Sequence, residues 1–251
     1  MYNKDGKDLS NNMDIKKRYF ELIKERIHDA YDLQADKIRE TARLFGECAE
    51  NGGVIQLFGV KHGEEFVNEL NYRAGGLAPF HALRLKDMML KELIDQEDID
   101  SGAIYDDLRL IDKFAEAFVM DDRDMFVLVS FYGNEPVVLE IARRAKEKGQ
   151  KVVAVVNKKS YDLYGGKLLE YANVWLDMDA EEPDLALNVK GHKVGQLSST
   201  VTNVIAQMLT AEFYDWYVRQ GKEAPVLLSA NIKGADVHNN SLTDPYGRRV
   251  R

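Results

Sequence analysis

Three side chains in this sequence are suited to moving protons at neutral pH: the carboxylate of Glu69 and the imidazoles of His62 and His238. A carboxylate or an imidazole that reaches a substrate acts as a general base or a general acid. Each side chain also has a structural interpretation. Glu69 and Arg73 are spaced as an i, i+4 helical pair, and a histidine in an exposed loop often has no chemical role. The residue types alone leave both interpretations open.

A second set of residues offers hydroxyl groups, amides and positive charge, which are the groups that hold an anion. Helix N-termini add free amide groups and a positive dipole end to such a set. Serines at these places also serve as ordinary turn residues and N-caps, and a lysine after a strand is usually solvated. The candidate ligand-binding residues are Ser130, Gly133, Asn134, Ser198, Ser199, Thr200, Lys61 and Asn231.

The elements that must position these residues are short apolar strands. Residues 54–58, 125–129, 152–156 and 226–228 are nearly continuous apolar runs, and 174–176 is a weaker fifth run. Runs without alternation are typical of strands buried on both faces of a parallel sheet. Helical patterns lie between them, which predicts an α/β, doubly wound, three-layer fold. Its ligand site lies outside the carboxyl ends of the strands, where the candidate residues fall.

The two ends of the chain differ from this pattern. Residues 1–13 are polar and are interpreted as a flexible tail. Residues 14–50 repeat apolar side chains at spacings of three and four, which predicts two helices broken near 31–33. The sequence therefore predicts a single α/β domain over 14–242 that starts with helices and is followed by a basic C-terminal tail, 243–251.

Composition limits the partners. The 251 residues carry a net charge of −8, so the chain has no general attraction for nucleic acid or an anionic membrane, and neither is expected as a partner. Cys48 is the only cysteine, which excludes an internal disulfide and a cysteine-based metal site and fits a cytoplasmic location. The apolar runs are too short to cross a bilayer. No metal and no cofactor are expected.

Three segments together resemble the sugar isomerase (SIS) domain family, and more narrowly its phosphoheptose-isomerase-like bacterial group. The segments are Asn51-Gly52-Gly53-Val54 with Phe58-Gly59, then Glu69-Leu70-Asn71-Tyr72-Arg73-Ala74-Gly75-Gly76-Leu77-Ala78-Pro79, and finally Leu228-Ser229-Ala230-Asn231 with Gly234, Asp236, His238 and Asn239. The resemblance runs from about residue 14 to 242. It implies a central five-stranded parallel sheet flanked by helices, and a homodimer or homotetramer with sites near the subunit interfaces.

The resemblance also implies a function, namely binding of a sugar phosphate and, if the protein is an enzyme, aldose–ketose isomerisation. Glu69 and His238 would share the proton transfers between neighbouring carbons, with His62 as a further candidate. The loop that contains Ser130 and the loop that opens the last long helix, with Ser198, would hold the phosphate.

Two loops depart from the family pattern. Gly59-Val60-Lys61-His62-Gly63 stands where the family has Gly-x-Gly-His-Ser, and Ser130-Phe131-Tyr132-Gly133-Asn134-Glu135 stands where it has Ser-x-Ser-Gly-x-Asn/Thr. Glu135 places a negative charge where an anion would bind. The alternative is therefore a catalytically silent module that binds or senses a sugar phosphate or an amino-sugar phosphate. An etherase or deaminase acting on an amino-sugar phosphate is a third interpretation.

Overall fold

A parallel sheet of five strands lies at the centre of the computed structural model, which describes residues 14–250. The strands are β1 (Ile55–Gly59), β2 (Phe80–Ala82), β3 (Met125–Val129), β4 (Val152–Val156) and β5 (Val174–Asp177), in the order β2-β1-β3-β4-β5. A separate antiparallel hairpin contains β6 (Leu187–Val189) and β7 (His192–Val194). The predicted α/β fold with a five-stranded parallel sheet is confirmed.

Helices cover both faces of the sheet, because alternate side chains of each strand point to opposite sides. Leu57 and Val127 pack in the core beneath the last long helix, whereas Phe58 and Leu128 pack in the core on the other face. The helices are α1 (Ile15–Leu33), α2 (Ala35–Glu50), α3 (Gly63–Leu70), α4 (Leu85–Leu90), α5 (Gln96–Asp100), α6 (Arg109–Ala117), α7 (Pro136–Glu147), α8 (Lys158–Leu163), α9 (Ser198–Arg219) and α10 (Ala235–Thr243).

One predicted strand is wrong. Residues 226–228 form only an isolated antiparallel bridge, between Val226 and Leu77, because this segment runs along the loop before β2. The backbone N–H of Gly75 donates to the Leu227 carbonyl, and the Leu227 N–H donates to the Gly76 carbonyl, both at 2.8 Å. The fifth position in the sheet belongs instead to β2, a three-residue edge strand that includes His81 and is too short to stand out as an apolar run.

The predicted break in the N-terminal helical segment is confirmed, and it falls at Gln34. The Gln34 side chain accepts a hydrogen bond from the Asp177 backbone N–H at 2.7 Å and donates to the Asp177 carbonyl at 3.0 Å. These two bonds attach the junction of α1 and α2 to the end of the edge strand β5. Residues 1–13, expected to be a flexible tail, lie outside the described residues.

The prediction of a basic tail at 243–251 needs correction over the part that the structure describes. Asp244–Arg249 is a short 3₁₀ helix that continues from α10. The Arg249 side chain is buried, donates to the Gly52 carbonyl at 2.9 Å and forms an ion pair with the buried Asp124. Its guanidinium therefore meets a carboxylate inside the protein, next to the amino ends of β1 and β3. Net positive charge in this segment suggested solvent exposure, but one arginine has an internal partner.

Candidate ligand-binding cleft at the sheet edge

A cleft opens where the chain changes direction across the sheet. After β1 the chain passes to β2 on one side and then returns to β3 on the other, so the loops that follow β1 and β3 separate. Ligands of open parallel sheets bind at such a switch point. The concavity here, called the switch-point cleft, has a volume of about 470 Å³. It is lined by Val60, Lys61, His62, Phe131, Tyr132, Glu135, Pro183, Asp184, Leu185 and Gln196.

The first loop of the cleft is a tight turn that only glycine permits at two places. A Cβ atom on Gly59 would lie 2.3 Å from the Gly63 carbonyl oxygen, and one on Gly63 would lie 2.7 Å from the Val129 carbonyl oxygen. Lys61, between them, has a positive φ of 53°, a strained conformation for a residue with a side chain. The side chains of Lys61 and His62 are exposed and make no hydrogen bond or ion pair within residues 14–250.

In the second loop, residues 130–135, the Ser130 hydroxyl and the Gly133 N–H are bonded to acceptors within the same loop. Ser130 is fully buried, its Oγ accepts a hydrogen bond from the Gly133 N–H at 2.7 Å, and its hydroxyl donates to the Glu135 carboxylate. Gly133 has a φ of 65° and lies so close to the Tyr161 ring that a Cβ atom would be 2.7 Å from it. Asn134 is exposed. Ser130 and Gly133 therefore shape the loop and satisfy one another, with the Glu135 carboxylate as acceptor.

Aromatic rings form one wall of the cleft. The ring of Tyr132 makes edge-to-face contacts with Phe131 and Tyr164, each with centroids 5.1 Å apart. Burial raises the pKa of Tyr132, and the carboxylates of Glu182, Glu135 and Asp184 raise it further. The phenol is therefore neutral, and carboxylates surround it.

The N-terminus of α9 is closed by a carboxylate that the sequence did not indicate. Asp184 accepts hydrogen bonds from the backbone N–H groups of Leu197 at 3.1 Å and Ser198 at 3.0 Å, and from the Ser198 hydroxyl. These are the free amides that a helix N-terminus offers to an anion. Ser198 is thus bound to an internal anion, whereas Ser199 and Thr200 face a different depression.

The loop after β4 has the same arrangement. The Ser160 hydroxyl donates to Glu182 at 2.6 Å, and the Lys158 backbone N–H donates to Asp177 at 3.0 Å. The Asn157 side chain donates to the Ser160 oxygen at 2.9 Å. Carboxylates from the chain therefore accept the hydroxyl or amide donors of three loops at this edge.

Glu69 lies in a separate depression, called the Glu69 groove, of about 430 Å³. Its carboxylate pairs with Arg73 on the next turn and accepts a hydrogen bond from the Gln207 side chain at 2.7 Å. Ser199 Oγ and Asn203 Oδ1 are buried and have no hydrogen-bond partner within residues 14–250. The groove is lined by Glu69, Ser199, Thr200, Asn203, Val204 and Gln207.

The family model of the SIS domain matches residues 18–157, more than half of the chain. The chain belongs to the SIS-domain family. Among its relatives are UPF0309 proteins of Geobacillus sp. (strain WCH70), 32% identical over 93% of this chain and 96% of the relative, and of Listeria monocytogenes serotype 4b (strain CLIP80459), 30% identical over 92% of this chain and 96% of the relative.

Solved structures show the same fold as this SIS-domain chain. A phosphoheptose isomerase from Francisella tularensis matches with a TM-score of 0.53 and 16% identity over 79% of this chain and 95% of that chain. The NanR protein of Vibrio vulnificus, complexed with ManNAc-6P, matches with a TM-score of 0.50 and 15% identity over 85% of this chain and 67% of that chain.

The SIS fold of this chain does not bring the predicted site residues into one cavity. Lys61 and His62 line the switch-point cleft, while Glu69, Ser199 and Thr200 line the Glu69 groove. His238 and Asn231 line neither, and the His238 ring instead makes a 3.0 Å hydrogen bond between Nε2 and the Val226 carbonyl. The Asn231 side chain is exposed.

Three acidic residues of this SIS-domain chain were missed from the sequence. Asp184 and Glu182 stand in a polar stretch without a motif, and only their approach to Ser198 and Ser160 reveals what they do. Glu64 follows the first loop, and partial burial raises the pKa of its carboxyl. Within residues 14–250, no cluster of three His, Cys, Asp or Glu side chains could hold a metal, and no helix is long and apolar enough to span a membrane.

Proposed function

We propose that this protein binds a carbohydrate derivative in the switch-point cleft. The observation that carries the proposal is the position of the cleft, at the carboxyl ends of β1 and β3 where the strand order reverses. Its volume of about 470 Å³ suits a small molecule. The NanR protein of Vibrio vulnificus, a neighbour in fold, is complexed with ManNAc-6P, which supports a ligand of this class.

The cleft offers the two kinds of surface that a carbohydrate needs. The Tyr132 ring supplies an apolar face, while Lys61, His62 and Gln196 supply polar groups. The side chains of Lys61 and His62 are engaged by no other residue among 14–250, so they can bond to a ligand without first losing an internal partner.

Binding without turnover is the form of this function that the geometry favours. Isomerisation requires acid–base groups that reach the same two carbons of one substrate. Here His62 lines the cleft, Glu69 lines the groove, and the His238 ring is bonded to a backbone carbonyl. The three candidate groups therefore do not line one cavity of this chain.

Phosphosugar isomerisation is the second candidate, and the Glu69 groove favours it. Two buried polar atoms, Ser199 Oγ and Asn203 Oδ1, have no partner within residues 14–250 beside a carboxylate held by Arg73 and Gln207. Buried polar atoms normally have partners, and both of these atoms belong to residues that line the groove, which supports a polar ligand there. In this case Glu69 takes the proton from the carbon next to the carbonyl and returns it to the neighbouring carbon.

A thermal-shift screen tests the binding function. The panel contains sugar phosphates, the matched free sugars and inorganic phosphate, added to the full chain. A ligand at about 100 times its Kd stabilises the folded state by about 2.7 kcal/mol, which raises Tm by roughly 5–10 °C in a chain of this size. His62→Ala should remove most of the shift, and His192→Ala on the exposed hairpin strand β7 should retain it. A shift that both variants retain would place the ligand elsewhere.

Turnover assays on every compound that binds separate the two candidates. The isomerase predicts that Glu69→Gln abolishes turnover while the thermal shift stays as in the wild type. The binding function predicts a shift without interconversion of aldose and ketose in any arm of the panel.

A further inference from the structure

The loops around the switch-point cleft have an unusual charge balance. Three loops at this edge each contain a serine whose hydroxyl donates its hydrogen bond to a carboxylate of the chain. Ser130 donates to Glu135, Ser198 donates to Asp184 and Ser160 donates to Glu182. Hydroxyls and amides of this kind are the groups that hold a phosphate at a helix N-terminus. The chain therefore brings its own anions to the places where a phosphate would otherwise be bound.

Two of these carboxylates, Glu135 and Asp184, line the cleft wall, and Glu135 is the one that belongs to the second loop itself. It is the residue directly before α7, a helix of 12 residues, and its carboxylate turns back to the Ser130 hydroxyl. The Gly133 N–H is already bonded to Ser130 Oγ at 2.7 Å. A phosphate seated on this loop would meet a like charge and would find the Ser130 hydroxyl and the Gly133 amide already in use.

We infer that Glu135 is a specificity-determining residue that excludes phosphate, so that the cleft takes a carbohydrate derivative with no phosphate group at the second loop. The inference rests on the proposed function, since it names the class of ligand for the same cleft. The site differs from a sugar-phosphate site in one respect, because an internal carboxylate stands where the phosphate would be bound. The ligand itself lies against the Tyr132 ring.

The inference can be tested with inorganic phosphate, which requires no knowledge of the natural ligand. Glu135→Ala removes the charge and frees the Ser130 hydroxyl, and no side-chain cap of α7 is lost because Glu135 makes none. The variant should bind phosphate at least tenfold more tightly than the wild type by isothermal titration calorimetry. Glu147→Ala removes the same charge from the other end of α7 and should bind phosphate as the wild type does. Glu135→Gln keeps the side-chain size and should gain phosphate affinity in the same direction.

The same variants are then titrated with the sugars that bind and with their phosphate esters. The wild type should bind a free sugar at least as tightly as its ester. Glu135→Ala should raise the ratio of ester affinity to free-sugar affinity at least tenfold. Wild-type affinity that is tenfold higher for the ester would overturn the inference, and so would equal phosphate affinity in the wild type and Glu135→Ala. If no carbohydrate binds the wild type, the proposed function fails, while the comparison with inorganic phosphate still decides the role of Glu135.

Discussion

Replacing Arg249 by alanine should destabilise the protein strongly, although the residue lies near the end of the chain. Its guanidinium is the charged partner of Asp124, whose carboxylate is fully buried. Asp124 also accepts hydrogen bonds from the Val54 N–H and the Gln56 side chain, both at 2.9 Å, and from the Asp121 N–H at 3.0 Å. These bonds remain in the variant, so the carboxylate stays in place but loses the charge that balances it.

The magnitude follows from this geometry. Removing one member of a buried ion pair costs about 3–5 kcal/mol, because an uncompensated charge stays inside the protein. Arg249→Lys keeps the charge but loses the planar fork that also reaches the Gly52 carbonyl, so we expect a loss of about 1–2 kcal/mol. Combining Arg249→Met with Asp124→Asn removes both charges and should recover part of the loss. The recovery is incomplete because the Asn amide nitrogen cannot accept the hydrogen bonds that one oxygen of the Asp124 carboxylate accepts.

Urea unfolding followed by far-UV circular dichroism measures these differences as shifts in the midpoint. For a chain of this size, the expected loss in Arg249→Ala lowers the midpoint by roughly 1–2 M. Arg248→Ala is the matched control, because Arg248 is exposed and its replacement should change the free energy of unfolding by less than about 0.5 kcal/mol. Equal midpoints for the Arg249 and Arg248 variants would refute the reasoning and would favour the basic tail expected from the sequence.

Three further changes have defined outcomes. Burial lowers the pKa of His81 to about 4, so the free energy of unfolding that the neutral ring contributes is complete above pH 6.5. As the pH falls from 6.5 towards 4, up to about 3 kcal/mol of this contribution is lost. Urea midpoints measured across this pH range should show the acid-dependent loss in the wild type and should lack it in His81→Gln. Burial raises the pKa of the Cys48 thiol to about 12. Iodoacetamide at pH 8 should therefore alkylate the folded chain about 100-fold more slowly than the urea-unfolded chain. Similar rates for the two would contradict the packing around Cys48. Gly63→Ser restores the family residue but places a Cβ atom 2.7 Å from the Val129 carbonyl oxygen. Thermal unfolding should therefore show a loss of about 1–3 kcal/mol in the free energy of unfolding. An unchanged Tm would mean that the loop relaxes freely.

The central strands and the edge of the sheet where the cleft opens were predictable from the sequence. β1, β3 and β4 lie inside the sheet with every residue buried, so each is a continuous apolar run that can be recognised locally. Loops that follow such strands must meet at one edge, so Lys61 and His62 were expected there, and both line the switch-point cleft. The edge strand β2 has three residues, and such a short segment has no periodicity that distinguishes it.

The sequence by itself determined the fold class, the family and the edge of the sheet where the cleft lies, because buried strands and helix periodicity are encoded in neighbouring residues. Only the tertiary structure decided which charges meet. Ser198 and Asp184 are 14 positions apart, Ser160 and Glu182 are 22 apart, and Arg249 and Asp124 are 125 apart. No local pattern links such pairs. In the sequence each of these acidic residues has the pattern of a solvated surface charge, and only the folded chain places it against its hydrogen-bond donor. The likeness to phosphate-binding loops and the charge of Glu135 could therefore be recognised in the sequence, whereas the carboxylates of Asp184 and Glu182 that accept from Ser198 and Ser160 could not.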